Sequence, residues 1–421
     1  MGGCSATNAC FALRGSPQDY DQWAARGNPG WSFADLLPVF RAIESDADFG
    51  GDWHGSGGPV PIRRPPPGEL PPWQRAFADA AAAAGHRLAG DHNEPGTAGA
   101  GPAPRNVRDG LRMSTALTHL AAARGRPNLA IRAGTTADRV ELSGTTARGV
   151  RLAGGEIIEA DAIVVTAGSY ASPAIVMRSG TGPAAALHDL GIGVAADLPG
   201  VGNNLIDHPL AAADLPTTPG YAGPRFQVML TARSPLADPA GPPDLHLFAA
   251  GPFDDAASPA GGVFGIVAGL LAVRSRGPVR LRSADPADPP HIDIAHLRHP
   301  EDMTRMIEAT RHARRLSRTP PLAGLITAAE LAPGPAISDH DTAGLARSIR
   351  ERAGSYHHPA GTCAMGPRPD DGAVVDARGA VHGIGRLWVA DASVMPAIPA
   401  ANTNLTTIVI AERIAQGLSA P

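Results

Sequence analysis

The most constraining feature of this 421-residue chain is its last stretch, from His357 to Leu418, in which a strand pattern is followed by a helix pattern. The run Arg386–Ala390 is typical of a short strand and ends on Asp391. Asn402-Thr403-Asn404 then offers a polar cap for the apolar run from Leu405 to Ile410, which predicts a buried helix beginning near Asn404. The strand end and the helix start can therefore converge on one ligand.

The residue types at these two points indicate what that ligand is. An Asp at the carboxyl end of a strand suits a sugar or ribityl hydroxyl, and a helix N-terminus suits an anion. His358, which Pro359 keeps out of helical geometry, and Asn402 are suited to act as base and hydrogen-bond partner for a substrate hydroxyl. A surface turn followed by an ordinary C-terminal helix is the alternative, and the local pattern leaves both interpretations open.

Composition excludes several classes of protein. The chain contains no lysine, so all 36 basic residues are arginines, which excludes a Schiff-base lysine, a PLP site and a Walker loop. The net charge of −4 provides no basic field for nucleic acid. Cys4, Cys10 and Cys363 form neither a disulfide framework nor a CxxC metal pair. With no signal sequence and no apolar run of membrane length, these features predict a cytoplasmic protein.

The first residues form a glycine-led turn, with Gly2 and Gly3 followed by Ser5 and Asn8. The backbone N–H groups of such a turn can face a phosphate, although most turns of this composition are only turns. Further along, His54 has no second ligand at helical or hairpin spacing. We therefore expect a structural histidine at position 54, and no metal site.

Residues 128–180 carry the pattern of a nucleotide-binding fold. Strand-like NLAIRAG (128–134) is followed by ADRVEL and RGVRL, and then by a buried strand at 162–166 that breaks at Ala167-Gly168-Ser169. A helix is predicted to start near Ser172-Pro173, because proline is tolerated in a first turn. Small residues at the strand end allow a cofactor to approach closely.

From residue 210 to 355 the pattern changes to alternating strands, at 243–251, 277–286 and 291–297, with a helix over Pro300–Leu316. This predicts an antiparallel sheet that carries a substrate pocket. His246 is predicted to face the pocket but to be a core histidine. Asp207 and His208 could form a dyad, but a structural role bonding backbone at a domain junction is expected.

These motifs, taken in order, resemble those of the glucose–methanol–choline (GMC) oxidoreductases, flavoenzymes that oxidise alcohols with FAD. The resemblance is carried by GGxSxxN at 2–8, GSYASPAIVMRSGTG at 168–182, DLPGVGNNLIDHP at 197–209, HPAGTCAMG at 358–366, LWVADASVMP at 387–396 and IPAANTN at 398–404. Thr181 departs from the aliphatic residue that is usual in the second of these motifs, and we expect local repacking there.

The resemblance implies an α/β fold with two discontinuous domains: a Rossmann-like FAD-binding domain (1–30, 105–209 and 359–421) and an antiparallel-sheet substrate domain (31–104 and 210–358). It implies hydride transfer from an alcohol carbon to flavin N5, with His358 as base and Asn402 holding the substrate oxygen. The implied FAD contacts are Gly2, Gly3, Ser5, Asn8, Ala137, Asp391, Ala392, Thr403 and Asn404. Thr7 stands where some relatives carry a histidine that links FAD covalently, so noncovalent FAD is expected.

One family element is absent from these residues, the GxGxxG fingerprint of a first βαβ unit that would hold the ADP half of FAD. A misplaced start, a split gene and a true remnant would each explain its absence. Two alternative functions follow from the resemblance, an FAD-containing lyase of the same family and an inactive, N-terminally truncated remnant. The motifs specify neither the alcohol nor the electron acceptor.

Overall fold

A computed structural model describes the backbone of residues 1–419 and the side chains of residues 1–418, so the last two residues of the predicted range 359–421 lie outside it. The described helices are α1 (Pro17–Ala25), α2 (Phe33–Ile43), α3 (Pro72–Ala83), α4 (Ala121–Ala123, preceded by a π-helical turn at Ala116–Leu120), α5 (Gly168–Arg178), α6 (Ala184–Asp189), α7 (Pro300–Ser317), α8 (Thr342–Arg352) and α9 (Asn404–Ser419).

The described strands are short outside one large sheet. They are β1 (Glu44–Asp46), β2 (Val60–Ile62), β3 (Gly99–Pro102), β4 (Val107–Arg108), β5 (Leu111–Arg112), β6 (Ala137–Ser143), β7 (Thr146–Leu152), β8 (Ile157–Glu159), β9 (Ile163–Val165), β10 (Thr181–Gly182), β11 (Ala196–Asp197), β12 (Pro209–Thr217), β13 (Val228–Ala232), β14 (Leu245–Asp254), β15 (Gly262–Leu270), β16 (Val279–Arg280), β17 (His291–Ile292), β18 (Gly354–Ser355) and β19 (Leu387–Val389).

The large sheet has six strands in the order β18-β12-β15-β14-β13-β3, and every neighbouring pair is antiparallel. Helices α3 and α7 pack against it, which leaves the first eight residues of β14 buried. Such continuous burial explains why this strand is apolar on both faces, whereas a half-buried strand alternates. The antiparallel sheet predicted for the second half of the chain is confirmed.

A separate, parallel strand pair joins the nucleotide-type segment 128–180 to the C-terminal stretch of the chain. β9 pairs with β19 in the register Val165↔Val389, so the residues that follow the two strands meet at one edge. There the backbone N–H of Gly168 donates to Asp391 Oδ2 at 2.8 Å. This contact places the start of α5 beside the end of β19.

The predicted start of α5 was wrong. The helix begins at Gly168, four residues before Ser172, so Pro173 lies in its interior. A proline there has no N–H for the carbonyl four residues earlier. That carbonyl, on Ser169, instead accepts the hydroxyl of Thr362 at 2.6 Å, which satisfies it from outside the helix.

Three other strand predictions failed in whole or in part. Residues 128–134 form turns and irregular structure, and their apolar side chains Leu129 and Ile131 are 38% and 40% exposed. The stretches at 277–286 and 291–297 contribute only the two-residue strands β16 and β17, which pair with each other. Apolar alternation predicts a strand only where a neighbouring strand accepts its hydrogen bonds.

The C-terminal helix begins at Asn404, as predicted. Its apolar face buries Leu405, Val409, Ile410 and Ile414 against the core. The hydroxyl of Thr406 lies 2.8 Å from that of Tyr20 on α1, which fixes the helix to the N-terminal part of the chain. Within residues 1–419, no helix is both long enough and apolar enough to cross a membrane.

Candidate active site

The predicted base and its predicted partner lie in contact. His358 Nε2 is 3.0 Å from Asn402 Nδ2, and both residues are only 7% exposed. His358 follows the edge strand β18, and Asn402 precedes α9, so the contact joins the large sheet to the C-terminal helix. Because an amide nitrogen only donates, Nε2 of His358 is the acceptor and the imidazole proton sits on Nδ1.

Nδ1 of His358 has its own partner, which the sequence did not predict. It lies 3.0 Å from Nδ1 of His208, and the two rings are perpendicular. The pairing of β12 with β18 places these residues side by side, since the N–H of Tyr356 donates to the carbonyl of His208 at 2.9 Å. His208, expected to bond backbone only, therefore contacts the candidate base directly.

Asp207 behaves as expected and binds backbone. Its Oδ1 accepts the backbone N–H of His358 at 2.8 Å, and its Oδ2 accepts from the hydroxyl of Ser355 and lies 3.2 Å from His296 Nε2. The backbone of His357 is left-handed, at φ 63°, and its side chain is exposed. This kink and the Asp207 carboxylate together fix the position of the neighbouring imidazole.

Tyr356 is a second residue that sequence analysis missed. Its ring packs on the His358 ring with centroids 4.3 Å apart, and it joins a small apolar cluster with Phe11, Phe248 and Ala401. The residue between Tyr356 and His358 has a left-handed backbone, and the residue pattern gives no signal for this kink or for the ring contact. The cluster walls the site with apolar surface.

Several polar atoms around Tyr356 have no partner although they are buried. They are Tyr356 Oη, His208 Nε2, His246 Nδ1 and Asn402 Oδ1. His246, 2% exposed, has its ring centroid 6.3 Å from that of Tyr356, so the expected core histidine does border this site. Buried polar groups in native proteins are nearly always paired, so unpaired ones at a single place indicate a site for a polar ligand.

Burial keeps the histidines of this site neutral. Burial first, and then the neighbouring His246 and His357, lowers the pKa of His358 to about 3. Burial and the adjacent His358 lower the pKa of His208 to about 3, and the pKa of His246 is also well below its usual value. A neutral imidazole whose Nε2 carries a lone pair is the form that can accept a hydroxyl proton, once a substrate replaces the Asn402 amide as the partner of Nε2.

Eight of the nine predicted cofactor residues lie in three places. The N-terminal turn is fixed by Ser5, whose Oγ accepts the N–H of Thr115 at 2.9 Å, and by Asn8, whose Oδ1 lies 3.2 Å from Nη1 of Arg112. Gly2 and Gly3 both have positive φ, and a Cβ added at Gly3 would meet nothing within 4 Å. This turn is an open backbone surface.

The second place is the end of β19. Asp391 is 5% exposed, and its carboxylate accepts from the N–H of Gly168, from Ser172 Oγ at 2.6 Å and from the N–H of Ser393 at 2.8 Å. These three donors occupy three of about four acceptor positions on the two oxygens. Ala392 opens the short 3₁₀ turn that follows Asp391.

The third place is the start of α9, where Thr403 and Asn404 lie beside Asn402. Nδ2 of Asn404 is buried and has no partner, and the first N–H groups of a helix have no partner within the helix. Ala137, in contrast, begins β6 in a separate three-stranded sheet that packs on α5.

A different buried histidine, His54, has the opposite environment. Its Nε2 lies 2.8 Å from Asp91 Oδ2 and its Nδ1 lies 3.1 Å from Asp46 Oδ2, with Glu44 Oε1 at 3.4 Å. Burial lowers its pKa, but hydrogen bonds to Asp46, Asp91 and Glu44 outweigh burial and raise the pKa to about 10. No second ligand lies at helical or hairpin spacing in the sequence, but tertiary packing brings three carboxylates to His54.

One ligand atom each of Glu44, Asp46 and His54 lies within 4.8 Å of the others, which is a spacing that metal sites use. Two guanidinium groups are also present, however: Arg14 pairs with Glu44, and Arg64 Nη2 lies 2.6 Å from Asp91 Oδ1. With His54 protonated, three cations face three carboxylates, so a metal ion would meet a site that is already neutral.

Comparison with known proteins gives the class of protein to which this fold belongs. The GMC oxidoreductase family profile matches residues 1–210 and 273–411, and the chain belongs to this family. It is 38% identical to 5-(hydroxymethyl)furfural oxidase of Methylovorus sp. (strain MP688), over 99% of this chain and 82% of that protein. It is 36% identical to oxygen-dependent choline dehydrogenase of Ectopseudomonas mendocina (strain ymp), over 99% and 79%.

A solved structure agrees. The crystal structure of pyridoxine 4-oxidase from Mesorbium loti superposes with a TM-score of 0.91 at 34% identity, over 98% of this chain and 82% of that one. The relatives are enzymes that act on alcohols, and proteins of this family bind FAD. The chain is therefore an FAD-dependent enzyme of the type that acts on alcohols.

The residues present fit this cofactor. Gly3 and Gly168 have positive φ and open space where a Cβ would point, as close approach of a ligand to backbone requires. The buried, unpaired amide of Asn404 at the start of a helix offers a donor to an electronegative ring edge. Asn404 follows Asn402 at the start of α9, and Gly168 is linked to the segment of His358 by the Ser169 Oγ–Pro359 carbonyl contact of 2.7 Å.

Proposed function

We propose that this chain oxidises the CH–OH group of a small alcohol, with His358 as the base for the hydroxyl proton and Asn402 as the partner of the substrate oxygen. The observation that supports this most is the buried His358–Asn402 contact, in which a lone pair on Nε2 lies beside an amide whose own Oδ1 has no partner. A substrate hydroxyl that replaced this direct contact would donate to Nε2 and accept from the amide N–H.

His208 determines which nitrogen of His358 is free. Its Nδ1 accepts the proton on Nδ1 of His358, and this keeps the lone pair on Nε2. Asp207, which accepts the backbone N–H of His358, holds the residue in place without charging its ring. His208 and Asp207 thus act as positioning residues.

When bound, FAD supplies the acceptor for the hydride that leaves the alcohol carbon. Gly2, Gly3, Ser5, Asn8, Ala137, Asp391, Ala392, Thr403 and Asn404 would hold it, and binding would be noncovalent because Thr7 offers no imidazole. The apolar wall of Tyr356, Phe248 and Phe11 excludes water from the base. The N-terminus of α9 favours negative charge beside the site. We also propose that the protein is cytoplasmic and that its small-molecule partner is an alcohol.

Anaerobic mixing of the purified, FAD-saturated protein with a panel of primary and aromatic alcohols tests this function. Loss of the oxidised-flavin absorbance with at least one alcohol is expected. A lyase of the same family would convert substrate without bleaching the flavin, and an inactive remnant would bind no FAD. Either result would contradict the proposal.

A further inference from the structure

A cavity of about 590 Å³ lies away from the site described above, between the end of α3, the start of β14 and the C-terminal half of α7. Leu245 lines it, and the next residue on the strand is His246, which approaches Tyr356. Successive side chains of a strand point to opposite faces of its sheet. The cavity and the candidate active site therefore lie on opposite faces of the six-stranded sheet.

The charges that line this cavity are mostly positive. Arg233, Arg315 and Arg318 contribute three guanidinium groups, whereas Glu308 contributes one carboxylate. That carboxylate is neutralised by Arg311, three residues along α7, whose Nη1 contacts Glu308 Oε1. Arg318 is likewise paired with Asp339, but Arg233 and Arg315 form no ion pair within residues 1–418. These two charges make the field inside the cavity positive, which favours an anion and disfavours a metal cation.

Two of the guanidinium groups are held in place by a neighbouring carbonyl or carboxylate group. Arg233 Nη2 donates to the carbonyl of Gly241 at 2.7 Å, and Arg318 Nη1 pairs with Asp339 Oδ2. Arg315 lines the cavity and is exposed, and it forms no ion pair with any side chain in residues 1–418. Each group keeps unused N–H donors in the planar geometry that matches two oxygens of one anion.

A pair of histidines forms the inner wall. His86 Nε2 and His312 Nε2 lie 2.8 Å apart, with ring centroids at 4.8 Å, and His312 is only 7% exposed. Burial first, and then His86 and Arg315, lowers the pKa of His312 to about 4, and burial and Arg315 lower that of His86. The pair is therefore neutral, and it adds polar groups but no charge to the cavity wall.

We propose that this cavity is a second binding site, and that it takes a small oxyanion with more than one charged oxygen, either a phosphate or a compound with two carboxylates. Three arginines can each offer two N–H groups to such an anion, while the histidine pair supplies a polar floor. The proposed alcohol oxidation uses none of these residues, so the two proposals can be tested independently.

Isothermal titration of the FAD-saturated protein with inorganic phosphate, and separately with succinate, tests the proposal at constant ionic strength set by sodium chloride. Saturation with FAD keeps phosphate out of the cofactor site. Saturable binding of one anion per chain is expected with at least one of the two titrants. Arg315→Gln should weaken it about tenfold or more, since hydrogen bonds to charged groups contribute ~1.5–3 kcal/mol. Arg233→Gln, on a different element, should do the same.

Arg378→Gln is the matched control. Arg378 is 80% exposed, lies outside the cavity and pairs with Asp376. This variant should bind as the parent does. Absence of saturable binding with both titrants would overturn the proposal, as would equal affinity in the parent and in both cavity variants. None of these measurements depends on flavin reduction, so failure here leaves the proposed alcohol oxidation untouched.

Discussion

His54 and His358 are both buried and both held by several polar contacts, yet their pKa values move in opposite directions. His54 is surrounded by Asp46, Asp91 and Glu44 and is held as an imidazolium, whereas His358 is surrounded by imidazoles and apolar side chains and is held neutral. The His54 nitrogens both face carboxylates. Around His358, polar atoms stay unpaired.

The difference separates a structural histidine from a chemical one. Pairing of opposite charges leaves nothing for a substrate to bind, so a paired cluster contributes to stability and not to turnover. A neutral base among unpaired polar atoms gains its missing partners when a ligand arrives. Burial alone does not distinguish these two roles, but the state of the partners does.

Replacing His358 is expected to have the largest effect on chemistry. His358→Gln should slow anaerobic flavin reduction by about 10²–10⁴-fold, because loss of a general base has that cost. The measurement is stopped-flow absorbance of the flavin at saturating alcohol. His357→Asn is the control, since Asn tolerates the left-handed backbone at this position and the side chain is exposed. If the control variant lost as much activity as His358→Gln, the roles of the two adjacent histidines would have to be exchanged.

His54→Gln should have its effect on stability. Removing one member of a buried charge network costs about 3–5 kcal/mol, because the carboxylates that remain are left uncompensated. Urea unfolding monitored by tryptophan fluorescence measures this. Arg63→Gln breaks the exposed Arg63–Glu69 pair, whose side chains are 49% and 51% exposed, and should cost less than about 1 kcal/mol. A comparable loss in both variants would remove the distinction between the paired cluster and an ordinary surface ion pair.

A smaller effect is expected at His208. His208→Leu removes the acceptor for Nδ1 of His358, and one hydrogen bond contributes ~1 kcal/mol, so flavin reduction should slow about fivefold. His208→Asn keeps an acceptor oxygen near the position of Nδ1 and should restore most of the rate. A purely structural role would lower the unfolding midpoint of His208→Leu without a rate change in the folded enzyme, and that result would exclude a positioning role.

The smallest effect should come from pH, and it should differ between the two regions. A histidine whose pKa is raised on folding adds stability below its unfolded value of 6.5 and loses it as the pH rises through about 10. The parent should therefore lose stability over this range, and His54→Gln should lose less. The rate of flavin reduction should not change as the pH passes through 6.5, because His358, with a pKa of about 3, is neutral on both sides of that pH. A rate that titrates near 6.5 would contradict the assigned environment of His358.

Part of this molecule was predictable from its residues. The motifs around Pro359 and Asn404 predicted that His358 and Asn402 belong to one site, and the structure places them 3.0 Å apart. Their catalytic roles, and the cofactor contacts, stay predictions. The apolar stretch at 243–251 and the apolar run that begins at Leu405 predicted a strand of the large sheet and α9, because both elements are buried over a long, continuous surface.

The rest depends on contacts between distant residues. His208 reaches His358 only because β12 and β18 pair, over a separation of 150 residues. The carboxylates around His54 likewise arrive from other segments. Leu129 and Ile131 had the pattern of a strand but lack a partner strand, and α5 begins before Pro173 because Thr362 satisfies the carbonyl that the proline leaves free. None of these partners can be read from local pattern.

The paired cluster around His54 also affects the rates at which the chain folds and unfolds. It joins residues as far apart as Arg14 and Asp91, so its charges can pair only after several separate segments have come together. Contacts that form late in folding are absent from the transition state, and their loss speeds unfolding far more than it slows folding. The cluster should therefore slow the unfolding of the chain, while contacts outside the cluster determine the folding rate.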